Sequence, residues 1–331
     1  MNASPAAGLL AGVLLALACS LPAAALELHG HRGARGLAPE NTMAGFERAL
    51  AVGVDVLELD VGLTRDGVLA VAHDRRLNPD LTRGPDGRHL SGPGPALVTL
   101  GFDELQAFDV GRIDPRSRYA AQFPQQQPVD GARIPRLEQV LELARRPAHE
   151  SLRLAIEAKV SPLAPQESAA PQAFAQALVD AIRRAGLTAR AEVLSFDWRV
   201  LQAVQALAPE VGTVYLSAEQ RWLDNIGRDR GSASPWTAGL RLADHGSLPR
   251  MIHAAGGRTW SAWHGDLDAA RVREARGLGL KVLAWTVNDP ARIEQLIDLG
   301  VDGIVTDHPE RVREVMRRRG LPLPAARAPG P

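Results

Sequence analysis

The sequence predicts an α/β protein: a (β/α)8 TIM barrel with a capping insertion between the second and third barrel strands. Two patterns predict it. Short apolar runs recur along the chain, each followed by a segment with the period of an amphipathic helix. Eight such units in roughly 290 residues match the size of a closed barrel. Histidine, aspartate and glutamate also collect at the ends of the early strands, where this architecture carries its chemistry. An open doubly wound sheet shares the first pattern; the polar strand ends favour the barrel.

Strands are expected at 26–31, 54–61, 152–158, 192–196, 212–216, 258–262, 281–286 and 302–306. Helices are expected at 42–52, 137–145, 171–185, 198–207, 248–255, 267–278, 290–299 and 309–319. In the first, Asn41 or Thr42 can cap the N-terminus, and Phe46, Ala49 and Leu50 share one apolar face. A short strand over 67–72 should turn back onto the second barrel strand through Arg65-Asp66-Gly67. Residues 75–135 then break the repeat. They carry Pro, Gly, Asp and Gln clusters and one helical piece near 102–108. Loops this long in compact domains serve as lids or binding loops, so this segment is read as a cap over the barrel mouth. The Arg317-Arg318-Arg319 run suits the negative end of a helix. The Pro/Ala-rich tail, 320–331, is predicted to be disordered.

The chain has 331 residues, with 38 Lys plus Arg against 38 Asp plus Glu. That zero balance argues against nucleic-acid binding by bulk charge. Hydrophobic residues make up 45%, which excludes wholesale disorder, and one cysteine excludes a disulfide framework or a Cys-based zinc site. Residues 1–25 contain no charged side chain. An apolar run over 8–18 and then Ala23-Ala24-Ala25 read as a secretory signal peptide. Pro22 and the shortness of the run argue against a membrane anchor. The expectation is therefore export to the periplasm, no stable membrane insertion after cleavage, and one domain over 26–319. Cys19 as a lipid-attachment site is a minor variant, since Ala16-Leu17-Ala18 matches a lipobox poorly.

Side chains at i and i+2 of a strand share a face. Glu58 and Asp60 therefore point one way, opposite Leu57, Leu59 and Val61; Glu157 and Lys159 share a face, as do His29 and His31. Three carboxylates aimed into one barrel end repel unless a cation sits between them. A hard ion with oxygen ligands, Ca2+ or Mg2+, is the natural occupant. The competing reading is a set of structural ion pairs. His31 and His73, each at a strand end, suggest a general acid and a general base. Arg32 and Lys159 suit an anion such as phosphate, and Gly33 would let backbone approach a ligand. Together these parts describe metal-assisted displacement at phosphorus or a carbonyl.

The residues His31-Arg32-Gly33, Pro39-Glu40-Asn41-Thr42, Glu58-Leu59-Asp60 and His73-Asp74 resemble the glycerophosphodiester phosphodiesterase family. The resemblance continues through Glu157-Ala158-Lys159, Trp285-Thr286-Val287-Asn288 and Thr306-Asp307-His308-Pro309. The insertion, with Leu77-Asn78-Pro79 and Asp109-Val110-Gly111-Arg112, is similar to that of the longer periplasmic bacterial members. What the resemblance implies is hydrolysis of small-molecule glycerophosphodiesters to sn-glycerol 3-phosphate and an alcohol. It implies one divalent cation held by Glu58, Asp60 and Glu157, and an acid/base pair made by His31 and His73. Arg32 and Lys159 would bind phosphate, and Trp285 would line the glycerol side. Ca2+ is favoured over Mg2+, because an exported protein meets more free Ca2+.

His29 departs from the family's usual small residue and is read as a core histidine. Three other readings stand beside this one. His29-x-His31 with Lys159 also looks like the amidohydrolase metal motif, but that motif needs later strand-end histidines, and only His264 comes near. A lysophospholipase D-type activity keeps the fold and changes the substrate to lysolipids; an apolar insertion would favour it, whereas Tyr119, Phe123 and Gln125-Gln126-Gln127 look more polar. A non-catalytic phosphodiester-binding protein would lack one of the histidines or carboxylates, and all are present.

Overall fold

The computed structural model describes residues 26–227 and 232–327. The segment 1–25, and with it the signal peptide and Cys19, lies outside the described residues. Nine strands form one sheet: β1 (Glu27–Gly30), β2 (Val56–Leu63), β3 (Leu69–Val71), β4 (Arg153–Ala158), β5 (Ala191–Ser195), β6 (Gly212–Ser217), β7 (Thr259–Trp263), β8 (Lys281–Trp285) and β9 (Gly303–Thr306). Eight pair in parallel, and the β1–β2 pairing closes them into a barrel. The ninth, β3, pairs antiparallel with β2 at Val61, Gly62 and Leu63, beyond the point where short β1 ends.

The helices are α1 (Met43–Val52), α2 (Phe102–Leu105), α3 (Leu137–Arg145), α4 (Pro171–Ala185), α5 (Trp198–Leu207), α6 (Leu242–His245), α7 (Leu248–Ala254), α8 (Ala269–Gly277), α9 (Pro290–Leu299) and α10 (Pro309–Arg318). Thr42 caps α1 by accepting from the Gly45 amide, and Phe46, Ala49 and Leu50 are buried as the pattern requires. Asp268 caps α8 by accepting from Ala270 and Arg271, so that helix starts two residues later than its apolar pattern suggests. The sequence reading has no counterpart to α6, a single turn with no buried residue.

The barrel has two apolar layers. Leu57, Leu59 and Val61 of β2 point outward into the main core shared with the helices. Val56, Ala155, Leu194, Val214, Leu216 and Leu283 point inward and fill the barrel. β2 is therefore buried on both faces, as a parallel strand must be. Its inward positions beyond Val56 are Glu58 and Asp60, so the polar layer begins where the apolar filling stops.

The insertion builds a small core of its own from Leu77, Leu97, Phe102, Leu105 and Ile134, packed on Ala70 of β3. It returns to the barrel where the Val71 amide donates to the Pro135 carbonyl at 2.9 Å. The helical piece expected near 102–108 is the single turn α2.

The tail departs from the predicted disorder over 320–327. The Arg327 amide donates to the Leu50 carbonyl at 2.8 Å. Its guanidinium donates to the Val54 carbonyl at 2.6 Å and to Ser151 Oγ at 2.9 Å. The last carbonyls of a helix lack partners within it, and α1 ends here, so the arginine satisfies groups the helix leaves open. Composition alone could not show this, because the partners lie far away in sequence.

Candidate active site

The site grows from β1, β2 and β4. Asp60 and Glu157 are register partners on neighbouring strands, and Glu58 sits two residues before Asp60. One oxygen from each of the three carboxylates lies within 4.8 Å of the others, and all three residues are buried. Two backbone kinks hold them. Arg32 and Asn41 adopt left-handed φ values of 52° and 53°, which is unfavourable for residues with a side chain. The Arg32 amide donates to Glu58 Oε2 at 2.8 Å. Asn41 Nδ2 donates to Asp60 Oδ2 at 2.8 Å, and Asn41 Oδ1 accepts from the Asp60 amide at 3.2 Å.

Burial and mutual repulsion act on this set unequally. Glu58 is pushed well above the usual carboxylate range, by burial first and then by Asp60 and Glu157. Glu157 is raised to about 6, by burial first; Lys159 opposes that shift and Asp60 adds to it. Asp60 goes the other way: burial is outweighed by Lys159, His73 and Arg32 and by the Asn41 hydrogen bond. Lys159 Nζ lies 2.7 Å from Glu157 Oε1 and 3.4 Å from Asp60 Oδ1. Arg32 Nη1 donates to Glu40 Oε1 at 2.7 Å, and its Nε lies 3.3 Å from Asp60 Oδ2. Even so, Asp60 Oδ1 is buried without a hydrogen-bond partner.

Each histidine is oriented by a carboxylate. His31 Nδ1 lies 2.6 Å from Asp307 Oδ1, and Asp307 also accepts from Arg35 Nε and, at 2.6 Å, from Asn288 Nδ2. Asp307 stays ionised: burial is outweighed by Arg35 and His31. Nδ1 of His31 must therefore carry the proton, which leaves the Nε2 lone pair free. That Nε2 lies 3.9 Å from Glu58 Oε2. Burial, then Arg35, pulls His31 down to about 4. His73 Nδ1 pairs with Asp74 Oδ1 at 2.8 Å, and Asn78 Nδ2 holds the other Asp74 oxygen at 2.7 Å. Burial, then Arg32 and Lys159, lowers His73 as well.

These groups face a cavity of about 900 Å³ at the C-terminal end of the barrel. The cavity has two unlike halves. The arc from β9 through β1 and β2 to β4 contributes the histidines, carboxylates and cations, and Arg75 and Glu167 from nearby loops join them. The arc over β5 to β8 contributes Phe196, Trp222, Trp263 and Trp285, with Trp236 beside them. The insertion supplies Pro93, Gln122 and Phe123. It is tied to the charged half by Tyr119, whose hydroxyl donates to Glu40 and accepts from Arg35.

The eight residues singled out in the sequence, His31, His73, Glu58, Asp60, Glu157, Arg32, Lys159 and Trp285, all reach this region. Two placements differ from expectation. Arg32 and Lys159, expected against phosphate, both contact carboxylates here. Gly33, expected near a ligand, approaches a helix instead: at its φ of 87° a Cβ would lie 2.6 Å from the Gly45 carbonyl carbon. His29 is buried and pairs with Glu27 at 3.2 Å, below the site. Among the described residues no histidine joins the carboxylate set, which leaves the amidohydrolase pattern without its ligands. Sequence reasoning assigned no role to Asp307, Asn288, Arg35, Asp74 or Trp263. Trp263 ends a barrel strand, Asp307 directly follows one and Asn288 lies three residues past β8, so the rule that flagged Glu157 could have flagged them.

Residues 31–311 match the model of the glycerophosphoryl diester phosphodiesterase family. A glycerophosphodiester phosphodiesterase of Caldanaerobacter subterraneus is 28% identical, over 88% of this chain and 97% of that protein. The solved structure of a candidate glycerophosphoryl diester phosphodiesterase from Silicibacter pomeroyi is 36% identical, with a TM-score of 0.81, covering 90% of this chain and 95% of that one. A phosphodiesterase of Oleispira antarctica, solved with the product sn-glycerol-3-phosphate, shares the fold at a TM-score of 0.64 and 21% identity, covering 88% and 97%. With the family match spanning nearly the whole barrel, this chain belongs to the glycerophosphoryl diester phosphodiesterase family and is an enzyme that hydrolyses glycerophosphodiesters.

Proposed function

We propose that the enzyme releases sn-glycerol 3-phosphate by metal-dependent hydrolysis, with His31 and His73 as the acid/base pair. The observation that carries this reading is the buried carboxylate triad within 4.8 Å, with an Asp60 oxygen that accepts no hydrogen bond, beside two carboxylate-oriented histidines. The donor set fits a hard cation: Glu58, Asp60 and Glu157 offer only oxygen, and their repulsion is incompletely offset. Such an ion, when bound there, neutralises charge building on the phosphoryl oxygens.

The chain's own groups do the rest. Arg32 and Lys159 place positive charge at the same end of the cavity and attract the anionic diester. The neutral imidazole with a free Nε2 takes the proton of the attacking hydroxyl; the other, protonated in its turn, gives one to the leaving alkoxide. Asp307 and Asp74 fix which nitrogen is available on each ring and steady the imidazolium as it forms. The insertion, closing over this half through Tyr119 and Phe123, restricts water. The product held by the Oleispira relative supports sn-glycerol 3-phosphate as the ligand class. The charge-free opening 1–25 supports export, and export supports Ca2+ as the ion.

The test is sn-glycerol 3-phosphate release from glycerophosphocholine by the protein starting at Leu26, before and after EDTA. The expected result is release that the chelator abolishes and Ca2+ restores. Undiminished release in EDTA would remove the metal from the account. Restoration by Mg2+ alone would remove Ca2+.

A further inference from the structure

The uncharged half of the cavity is more specialised than burial requires. The chain has six tryptophans in 331 residues, and four of them, Trp222, Trp236, Trp263 and Trp285, line this one cavity. Three stand at steep angles to one another: Trp222 on Trp263 at 81° with centroids 5.2 Å apart, Trp222 on Trp285 at 84° and 6.2 Å, and Trp263 on Trp285 at 66° and 5.5 Å. Phe196 closes on Trp285 at 83° and 5.4 Å. Rings set this way form a corner with faces in different directions. A ligand seated in it can lie within about 6 Å of several centroids at once, the range over which a ring face attracts a cation.

Among the described residues the corner holds no protein cation. The two arginine–ring pairs among the described residues are Arg35 on Phe123 and Arg136 on Phe102, neither in the corner. No lysine or arginine lines the cavity over β5 to β8 among the described residues. The nearest titratable ring, His264 against Trp263, is held toward its neutral form by burial and by Arg292. Among the described residues, all the lysine and arginine of the lining stands on the other half, where an anion belongs. This division suits a substrate with its phosphate toward the cationic half and a poorly hydrated group toward the indoles. A primary ammonium needs hydrogen-bond acceptors, which indole rings do not offer. An acyl chain would be served equally by aliphatic side chains; indole is the ring that binds cations best.

We propose that the Trp222–Trp263–Trp285 corner is a subsite for a quaternary ammonium group, so that choline-bearing diesters are the preferred substrates and Trp285 serves the head group rather than the glycerol side the resemblance implied. The proposal rests on the phosphodiesterase reading above and adds the head group to it. Trp222 is the residue to test, since it is 60% exposed and can be changed without opening the core.

The experiment compares kcat/KM for glycerophosphocholine, glycerophosphoethanolamine and glycerophosphoglycerol in wild type and Trp222→Leu, which keeps apolar volume and removes the indole. The expected result is a choline preference that falls about fivefold in the variant relative to the glycerol diester, the scale of one exposed cation–ring contact. In parallel, choline and its neutral isostere 3,3-dimethylbutanol are titrated as inhibitors. Choline should bind several times more tightly in wild type and no more tightly in the variant. Equal loss on all three diesters, or equal inhibition by the isostere, would overturn the subsite while leaving the phosphodiesterase reading intact. A preference for lysophosphatidyl substrates with an acyl chain would replace it with a lipid site. Failure to hydrolyse any of the diesters would count against the parent reading instead.

Discussion

The two ends of the barrel both carry charge, and they handle it in opposite ways. At the floor, Glu27 opens β1 and is surrounded by partners: Arg153 Nη2 at 2.6 Å, Lys281 Nζ in direct contact, and His29 at 3.2 Å. Burial alone would raise this carboxyl. His29, Lys281 and Arg153 outweigh burial and hold it well below the ordinary value of 4.5. At the mouth, Glu58 and Glu157 are instead raised, by burial first and then by the carboxylates beside them. Floor charges are matched one against another and close the barrel. Mouth charges are matched only in part, by Lys159 and Arg32, and two strained backbone residues, Arg32 and Asn41, hold Glu58 and Asp60 together against their repulsion. A fold does not need that arrangement; it is one that could hold a cation. The difference separates stabilising charge from functional charge without reference to any relative.

The largest expected effect tests that separation at the mouth. Glu58→Gln should lower kcat/KM by about 1,000-fold, several kcal/mol of transition-state stabilisation. In ion-free protein its Tm should stay level or rise, since a repelling charge has gone. A drop in Tm equal to that of a floor mutant would erase the distinction. Next in size, His31→Ala and His73→Ala should each lower kcat at least about 100-fold, the scale of acid/base catalysis. Near-wild-type turnover in either would remove that histidine from the mechanism.

Asp307→Asn sharpens the same comparison one shell out. It keeps the size of the side chain but loses the charge that fixes the His31 tautomer. The expected loss is about 10–100-fold in kcat, the usual effect of removing such a partner, with KM near wild type. A KM effect alone would make Asp307 a binding residue. The smallest effect belongs to the floor. Glu27→Gln should cost about 2 kcal/mol of stability at pH 7 and leave kcat unchanged, in line with hydrogen bonds to a charged group. The sign follows from its depressed titration: the carboxylate stabilises the fold above pH 4.5, and that contribution drains away as pH falls further. Thermal melts of wild type should therefore steepen their decline below pH 4.5, and the variant should show a flatter one.

The sequence showed the barrel because parallel strands buried on both faces leave long apolar runs, as in Leu152–Ala158 around Ile156. It showed Glu58, Asp60 and Glu157 because strand parity places side chains without knowledge of neighbours. What escaped it depends on distance. Asp307 meets His31 across the barrel closure, 276 residues away in the chain. Arg327 meets Leu50 in the same long-range way, against a composition that reads as disordered. The tryptophan corner joins the loop after β6 to the ends of β7 and β8, and a composition of 4% aromatic residues hides such a concentration. Arg32 and Lys159 illustrate a further limit: charge type was legible and ion pairing stood as an alternative, but not which carboxylate each would contact.

The central claim is that the mouth carboxylates form a cation site rather than a set of structural ion pairs. Calorimetric titration of chelator-stripped protein with Ca2+, and separately with Mg2+, tests it most directly. One ion per chain is expected in wild type, and no measurable binding in Glu58→Gln. Full turnover by stripped protein that binds neither ion would contradict it.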